Sequence, residues 1–91
     1  MVEIVIKKGG QEEPFDEEKI KNAVRAASSQ AGLDEIKQEE LAKAVVNKIS
    51  EAFGEEKSVK SIELRDKILS ELDIISSETA DAWRSYEATK S

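Results

Sequence analysis

The 91-residue chain contains no cysteine and no histidine. Without Cys there is no disulfide framework, no thiol nucleophile and no zinc ribbon. Without His, the usual metal ligand and the usual acid–base group near neutrality are gone, and so is a serine nucleophile activated by imidazole. Proline occurs once and glycine four times, so no Pro- or Gly-rich linker divides the chain, and no repeat or low-complexity stretch is visible. No apolar run approaches the roughly 20 residues that span a bilayer. Met1 is followed directly by Val2 and Glu3 rather than by a basic leader. A cytoplasmic protein of one domain, residues 1–91, is the expectation. Positive charge is also in short supply: 14 Lys and Arg face 20 Asp and Glu, a net charge of −6. Such a surface argues against general binding to a nucleic-acid backbone.

What the chain does have is 38% hydrophobic and 37% charged residues. That is enough apolar surface for one small core and too much for a disordered tail. Val2, Ile4 and Ile6 alternate with Glu3, Val5 and Lys7, which describes a strand with Val2, Ile4 and Ile6 on its buried face. Gly9-Gly10 permits positive φ at both central positions of a hairpin turn. The return strand runs from Gln11 to Phe15, with Pro14 at an edge or at the strand's end. Asp16 is a candidate N-cap for a helix reaching about Ala31, striped by Ile20, Ala23, Val24, Ala27 and Ala31, with Gly32 as its C′ residue. A second helix spans about Gln38 to Phe53, with Leu41, Val45, Ile49, Ala52 and Phe53 on one face, and Gly54 ends it. Ser58 to Lys60 reads as a short extended piece around Val59. Ser61 reads as the N-cap of a third helix whose inner side is Ile62, Arg65, Ile68, Leu69 and Leu72. A fourth helix, about Glu78 to Ala88, packs through Ala80, Trp83 and Tyr86. The expected class is α+β: a four-helix bundle capped by an N-terminal β-hairpin or small mixed sheet.

Most carboxylates sit where caps and solvated helix faces put them. No phosphate-binding GxxxxGK[ST] loop and no EF-hand loop is present. The informative cluster is cationic. Lys7 and Lys8 end a strand beside a glycine turn, and Lys19 lies in the first turn of the following helix. Lys60 and Arg65 flank the start of the third helix at Ser61. If the hairpin packs across both helix starts, five cations and two helix N-termini converge on a pocket suited to a phosphate-bearing ligand. Val5, apolar on the strand's polar face, would then press against a planar base. Each residue also has a plainer reading. Lys7 and Lys8 could blunt an edge strand, Lys19 could be a solvated helix residue, and Ser61 is an N-cap with or without a ligand.

The run Val5-Ile6-Lys7-Lys8-Gly9-Gly10, then Pro14-Phe15-Asp16 and Lys19-Ile20, resembles the signature of the ATP-cone family: Val-x-Lys-Arg-Asp-Gly, a few residues, then Pro-Phe-Asp-x-x-Lys-Ile. Val59-Lys60-Ser61-Ile62 and Ala82-Trp83-Arg84-Ser85-Tyr86 resemble its later segments. The resemblance implies a four-helix bundle capped by a small mixed β-sheet that binds ATP or dATP, with Mg2+ as an accompanying ion, as a regulatory ligand. Such domains are found in ribonucleotide reductase large subunits, in the repressor of their genes and in some archaeal kinases. By position, Val5, Glu13, Asp16 and Ile20 match residues around the base. Lys7, Lys19, Ser61 and Arg65 match those near ribose and phosphates, and Lys8 matches the basic residue after the first Lys. Three positions depart from the pattern: Gly9 replaces an Asp, Lys8 replaces an Arg with its bidentate grip, and Glu87 stands where a basic residue is common.

The expectation is a regulatory module without catalysis of its own. It would signal to a protein partner or a parent enzyme domain, and would bind neither nucleic acid nor membrane. The alternative is a protein–protein interaction module that keeps the fold without nucleotide, with Trp83 and Tyr86 as contact residues. An enzyme in its own right fits poorly, because the cations have no evident base or nucleophile beside them.

Overall fold

The computed structural model describes residues 2–90. Three short strands precede or interleave four helices: β1 Ile4–Ile6, β2 Glu12–Pro14, α1 Glu17–Gln30, α2 Glu35–Phe53, β3 Ser58–Lys60, α3 Ser61–Ile75 and α4 Ser77–Lys90. The sheet order is β2-β1-β3, with β2 antiparallel and β3 parallel to the central β1. A parallel pair needs a long crossover, and here α1 and α2 supply it. In the bundle, α1 packs on α2 and α4, and α3 packs on the same two helices.

A tight hairpin forms at Gly9-Gly10 with positive φ at one of the two, as expected, but the two glycines are not both at the turn's centre. The Gly10 N–H donates to the Lys7 carbonyl (2.8 Å) and the Lys7 N–H donates to the Gln11 carbonyl (2.7 Å). Lys8 and Gly9 therefore occupy the turn centre. Gly10 alone takes a positive φ, 85°, as in three-residue hairpin loops that end in a left-handed residue. Pro14 closes the edge strand β2, where its missing N–H costs no ladder bond.

The helices start and stop largely on local chemistry. The Asp16 carboxylate accepts from the Glu18 N–H (2.9 Å). α1 ends in the two-bond glycine motif of helix C-termini: the Gly32 N–H reaches the Ser29 carbonyl and the Leu33 N–H reaches the Ser28 carbonyl, both at 3.0 Å. α2 starts at Glu35, three residues before the expected Gln38, because Asp34 caps it through the Lys37 N–H (2.9 Å). α4 starts at Ser77 and runs past the expected Ala88. The Ser76 hydroxyl pairs with the buried Thr79 hydroxyl (2.8 Å) in the tight junction from α3.

Ile20, Val24, Leu41, Val45, Ile49, Ile68, Leu69 and Leu72 are buried as expected, and Phe15 packs half-buried against them. Each fully buried aliphatic side chain contributes roughly 1.5–3 kcal/mol relative to exposure. Four side-chain placements differ from the expectation. Ala52 is exposed, because Ala42 and Val46 join the buried face of α2. Ile62 (56% exposed) and Tyr86 (54%) also face outward, while Leu64 takes Ile62's place in the core. The fourth concerns β1: Val5 is the buried residue, in register with the buried Val59, while Ile4 is exposed and Ile6 half-exposed. Within β1 the side facing the helices is thus the opposite of the one expected from the alternation, while Val2, just before the strand, is buried as expected.

Candidate functional site

Parallel pairing of β1 and β3 brings their C-terminal ends together, with Ile6 in register with Lys60. From that edge the chain leaves in two directions. After β1 it enters the hairpin loop through Lys7 and Lys8, and after β3 it passes without a linker into α3. Between these segments and α4 lies a cleft of about 830 Å³. Four cations line it, Lys7 and Lys8 from the hairpin and Lys60 and Arg65 from the start of α3. Ile6, Ile62 and Trp83 give it apolar walls.

The start of α3 differs from the starts of α1 and α2. Its N-cap position is Lys60, and no side chain caps it. Ser61 is the first helical residue rather than the cap, because β3 runs straight into the helix and leaves no turn in which a Ser could occupy the capping position. The first N–H groups of a 15-residue helix are therefore without a side-chain acceptor, at the positive end of the helix dipole. Helix starts of this kind attract anions.

The cations differ in what already neutralises them. Lys7 pairs with Glu13 across the hairpin (3.2 Å). Arg65 is held bidentately by Glu87 of α4: Nε donates to both carboxylate oxygens (3.0 and 2.8 Å) and Nη2 to one of them (2.6 Å). Arg65 Nη1 donates to Asp66 (2.9 Å). Hydrogen bonding from Arg65, and secondarily from the Trp83 indole, holds the Glu87 carboxyl below the usual carboxylate range, while the same Glu87 contact raises Arg65 further. Among the described residues, Lys8 and Lys60 have no ion-pair partner. Nor do the described residues form a cluster of three or more acidic ligands able to hold a metal.

Of the ten residues singled out in the sequence, five line this cleft: Lys7, Lys8, Lys60, Ser61 and Arg65. Glu13 touches it indirectly, through Lys7. Asp16 and Lys19 stand at the start of α1, outside the lining, and Ile20 and Val5 belong to the core. The edge-strand reading of Lys7 and Lys8 loses its basis, because they follow the central strand. Ile6 and Ile62 escaped the sequence reading as site residues, and Trp83 entered it only as a contact residue of the interaction-module alternative. An apolar residue lining a cleft has the same local pattern as one in a core, and only Ile6's place one residue from Val5 pointed to this edge.

A second, smaller groove of about 460 Å³ runs between α1 and α4. Ala23, Ala26 and Ala27 form its floor, and it shares Trp83 and Glu87 with the first cleft.

The family model described as ATP cone domain matches residues 3–89, nearly the whole chain. No curated protein matches the chain closely enough to count as a relative.

Proposed function

The chain belongs to the ATP-cone family, a family of regulatory nucleotide-binding domains, and from this premise we propose that it binds ATP or dATP with the phosphates in the cationic cleft and relays occupancy to a protein partner or parent enzyme domain, without catalysis of its own. One observation carries the reading. An uncapped helix start and four cations face a single cleft in a protein whose net charge is −6. Concentrating positive charge in one concavity of an acidic protein favours a compact polyanion over a long nucleic-acid backbone.

In this proposal Lys8 and Lys60 meet the phosphates first, and the Ser61 N–H and hydroxyl add uncharged donors. Lys7, steadied by Glu13, closes the hairpin side. The base end extends toward the start of α1, where Asp16 caps the helix and Lys19 lies in its first turn. Mg2+ would arrive on the phosphates, since the described residues offer no three-carboxylate cradle. The mechanism is differential binding: nucleotide ties the hairpin to the start of α3, and a partner reads the tied state. Titration of ATP or dATP with Mg2+, followed by amide chemical shifts, should give saturable changes at Lys7, Gly10, Lys60 and Ser61, with a second set at Asp16 to Ile20. A spectrum unchanged at millimolar nucleotide would favour the second reading, an interaction module. The exposed Tyr86 beside the alanine-floored groove speaks for that alternative.

A further inference from the structure

We propose that Glu87 is a built-in stand-in for a ligand phosphate. Its carboxylate occupies the Arg65 guanidinium in the free protein, and a bound anion must displace it, so this contact sets the affinity threshold of the cleft. The inference deepens the nucleotide-binding reading and rests on it.

The geometry is that of ligand recognition rather than of a loose surface pair. Two guanidinium nitrogens engage both carboxylate oxygens at 2.6–3.0 Å, the fork-on-fork arrangement with which Arg also holds phosphate. The Trp83 indole lines the cleft beside the same carboxylate and helps to keep it ionised. Both residues line the cleft, and their side chains are 39% and 33% exposed, so an incoming anion has access to the pair. Asp66 occupies the guanidinium's remaining edge at 2.9 Å. The Arg65 corner therefore carries one positive and two negative charges, and repels phosphate until Glu87 moves.

The neighbouring ion pair makes the contrast. Arg84 and Asp73 also join α4 to α3, with bonds of 2.9 and 2.7 Å, but neither residue lines the cleft. Equivalent chemistry there is only a staple. At Arg65 it takes a cation away from the ligand and leaves Lys8 and Lys60 to make first contact. When Glu87 is displaced, its bonds to Arg65 break and its electrostatic contact with the Trp83 indole is lost. The switch therefore involves two helices and an indole that also walls the second groove.

Calorimetry of the full chain with MgATP, alongside thermal unfolding of each variant, tests this. Glu87→Gln, which keeps the shape and removes the charge, should tighten ATP roughly tenfold. In an Arg65→Gln background the same change should matter less than about threefold, the scale of removing one screened surface charge. In the wild-type protein, ATP should shift the Arg65 Nε–H and Trp83 indole N–H resonances together. This readout stands even if Glu87→Gln fails to fold. If wild type binds ATP and Glu87→Gln binds no tighter, the stand-in role is wrong while the nucleotide reading survives. A gain equal with and without Arg65 also overturns it, as bulk charge. Static Arg65 and Trp83 signals beside shifting Lys60 and Ser61 amides do the same. If neither wild type nor Glu87→Gln binds at millimolar ATP, both readings fall.

Discussion

At the end of the bundle away from the sheet, polar termini find partners within the fold. Gly32 and Leu33 close α1, Asp34 caps α2, and Ser76 with Thr79 joins α3 to α4. At the sheet end, α3 begins with no side-chain cap, and Lys8 and Lys60 line a cleft without a carboxylate to pair with among the described residues. The first arrangement stabilises the fold, since each satisfied terminus removes an unpaired backbone group. The second contributes little to folding. Donors and cations held together without internal acceptors are useful to something that arrives from outside. In the nucleotide-binding proposal, function thus concentrates where local stabilisation is withheld.

Substitutions at the two ends should therefore separate affinity from stability. The largest effect belongs to the sheet end. Lys60→Ala and Lys7→Ala should each weaken ATP by roughly 10- to 150-fold, the loss of one charge-assisted hydrogen bond of about 1.5–3 kcal/mol. The melting temperature should barely change, and Lys43→Ala on the exposed side of α2 serves as the calorimetric control. Lys19→Ala, outside the cleft lining, should lose less than Lys60→Ala. Equal binding by all four variants would erase the contrast between the ends.

Next in size is the opposite result at the distal end. Asp34→Ala should cost about 1 kcal/mol, the usual worth of an N-cap, and lower the melting temperature by roughly 4–8 °C. ATP affinity should not change. Smaller still, Ser61→Ala should alter stability by less than about 0.5 kcal/mol, because its hydroxyl caps nothing. A loss as large as that of Asp34→Ala would mean that Ser61 caps α3 in solution.

The finest comparison uses acid. The Asp73 and Glu87 carboxyls are held low chiefly by hydrogen bonds from Arg84 and Arg65 respectively. A carboxyl whose folded pKa lies below its unfolded one stabilises the protein above the unfolded value. That contribution is lost as pH falls through the usual carboxylate range and then through the lowered folded value. Denaturant midpoints measured from pH 7 downward should fall accordingly, and Glu87→Gln should flatten the part due to the cleft while leaving the part due to Asp73.

Much of the architecture was legible because it is local. Gly10, Asp16, Gly32 and the break at Ser76 act on backbone groups within a few residues of themselves, and the apolar spacing of Ile20-Val24-Ala27 and Leu41-Val45-Ile49 follows the helical period. The sequence reading passed over Asp34, an Asp just before an amphipathic run, because the apolar stripe drew the helix start to Gln38. The candidate site was half legible: the cationic residues around Lys7 and Ser61 stood out by type, while the apolar walls did not.

The sequence by itself determined which segments become hairpin and helix, where most of them end, and that the cations cluster near two strand ends. The tertiary structure decided three things that no short window contains. It decided which side of β1 is buried, since Ile4, Val5 and Ile6 are all apolar and a three-residue strand offers no period to choose between them. It left α3 uncapped, because β3 must lie parallel to β1 and runs directly into the helix at Ser61. And it joined Arg65 to Glu87, 22 residues apart in sequence, because only the packing of α4 on α3 brings that carboxylate to the cleft.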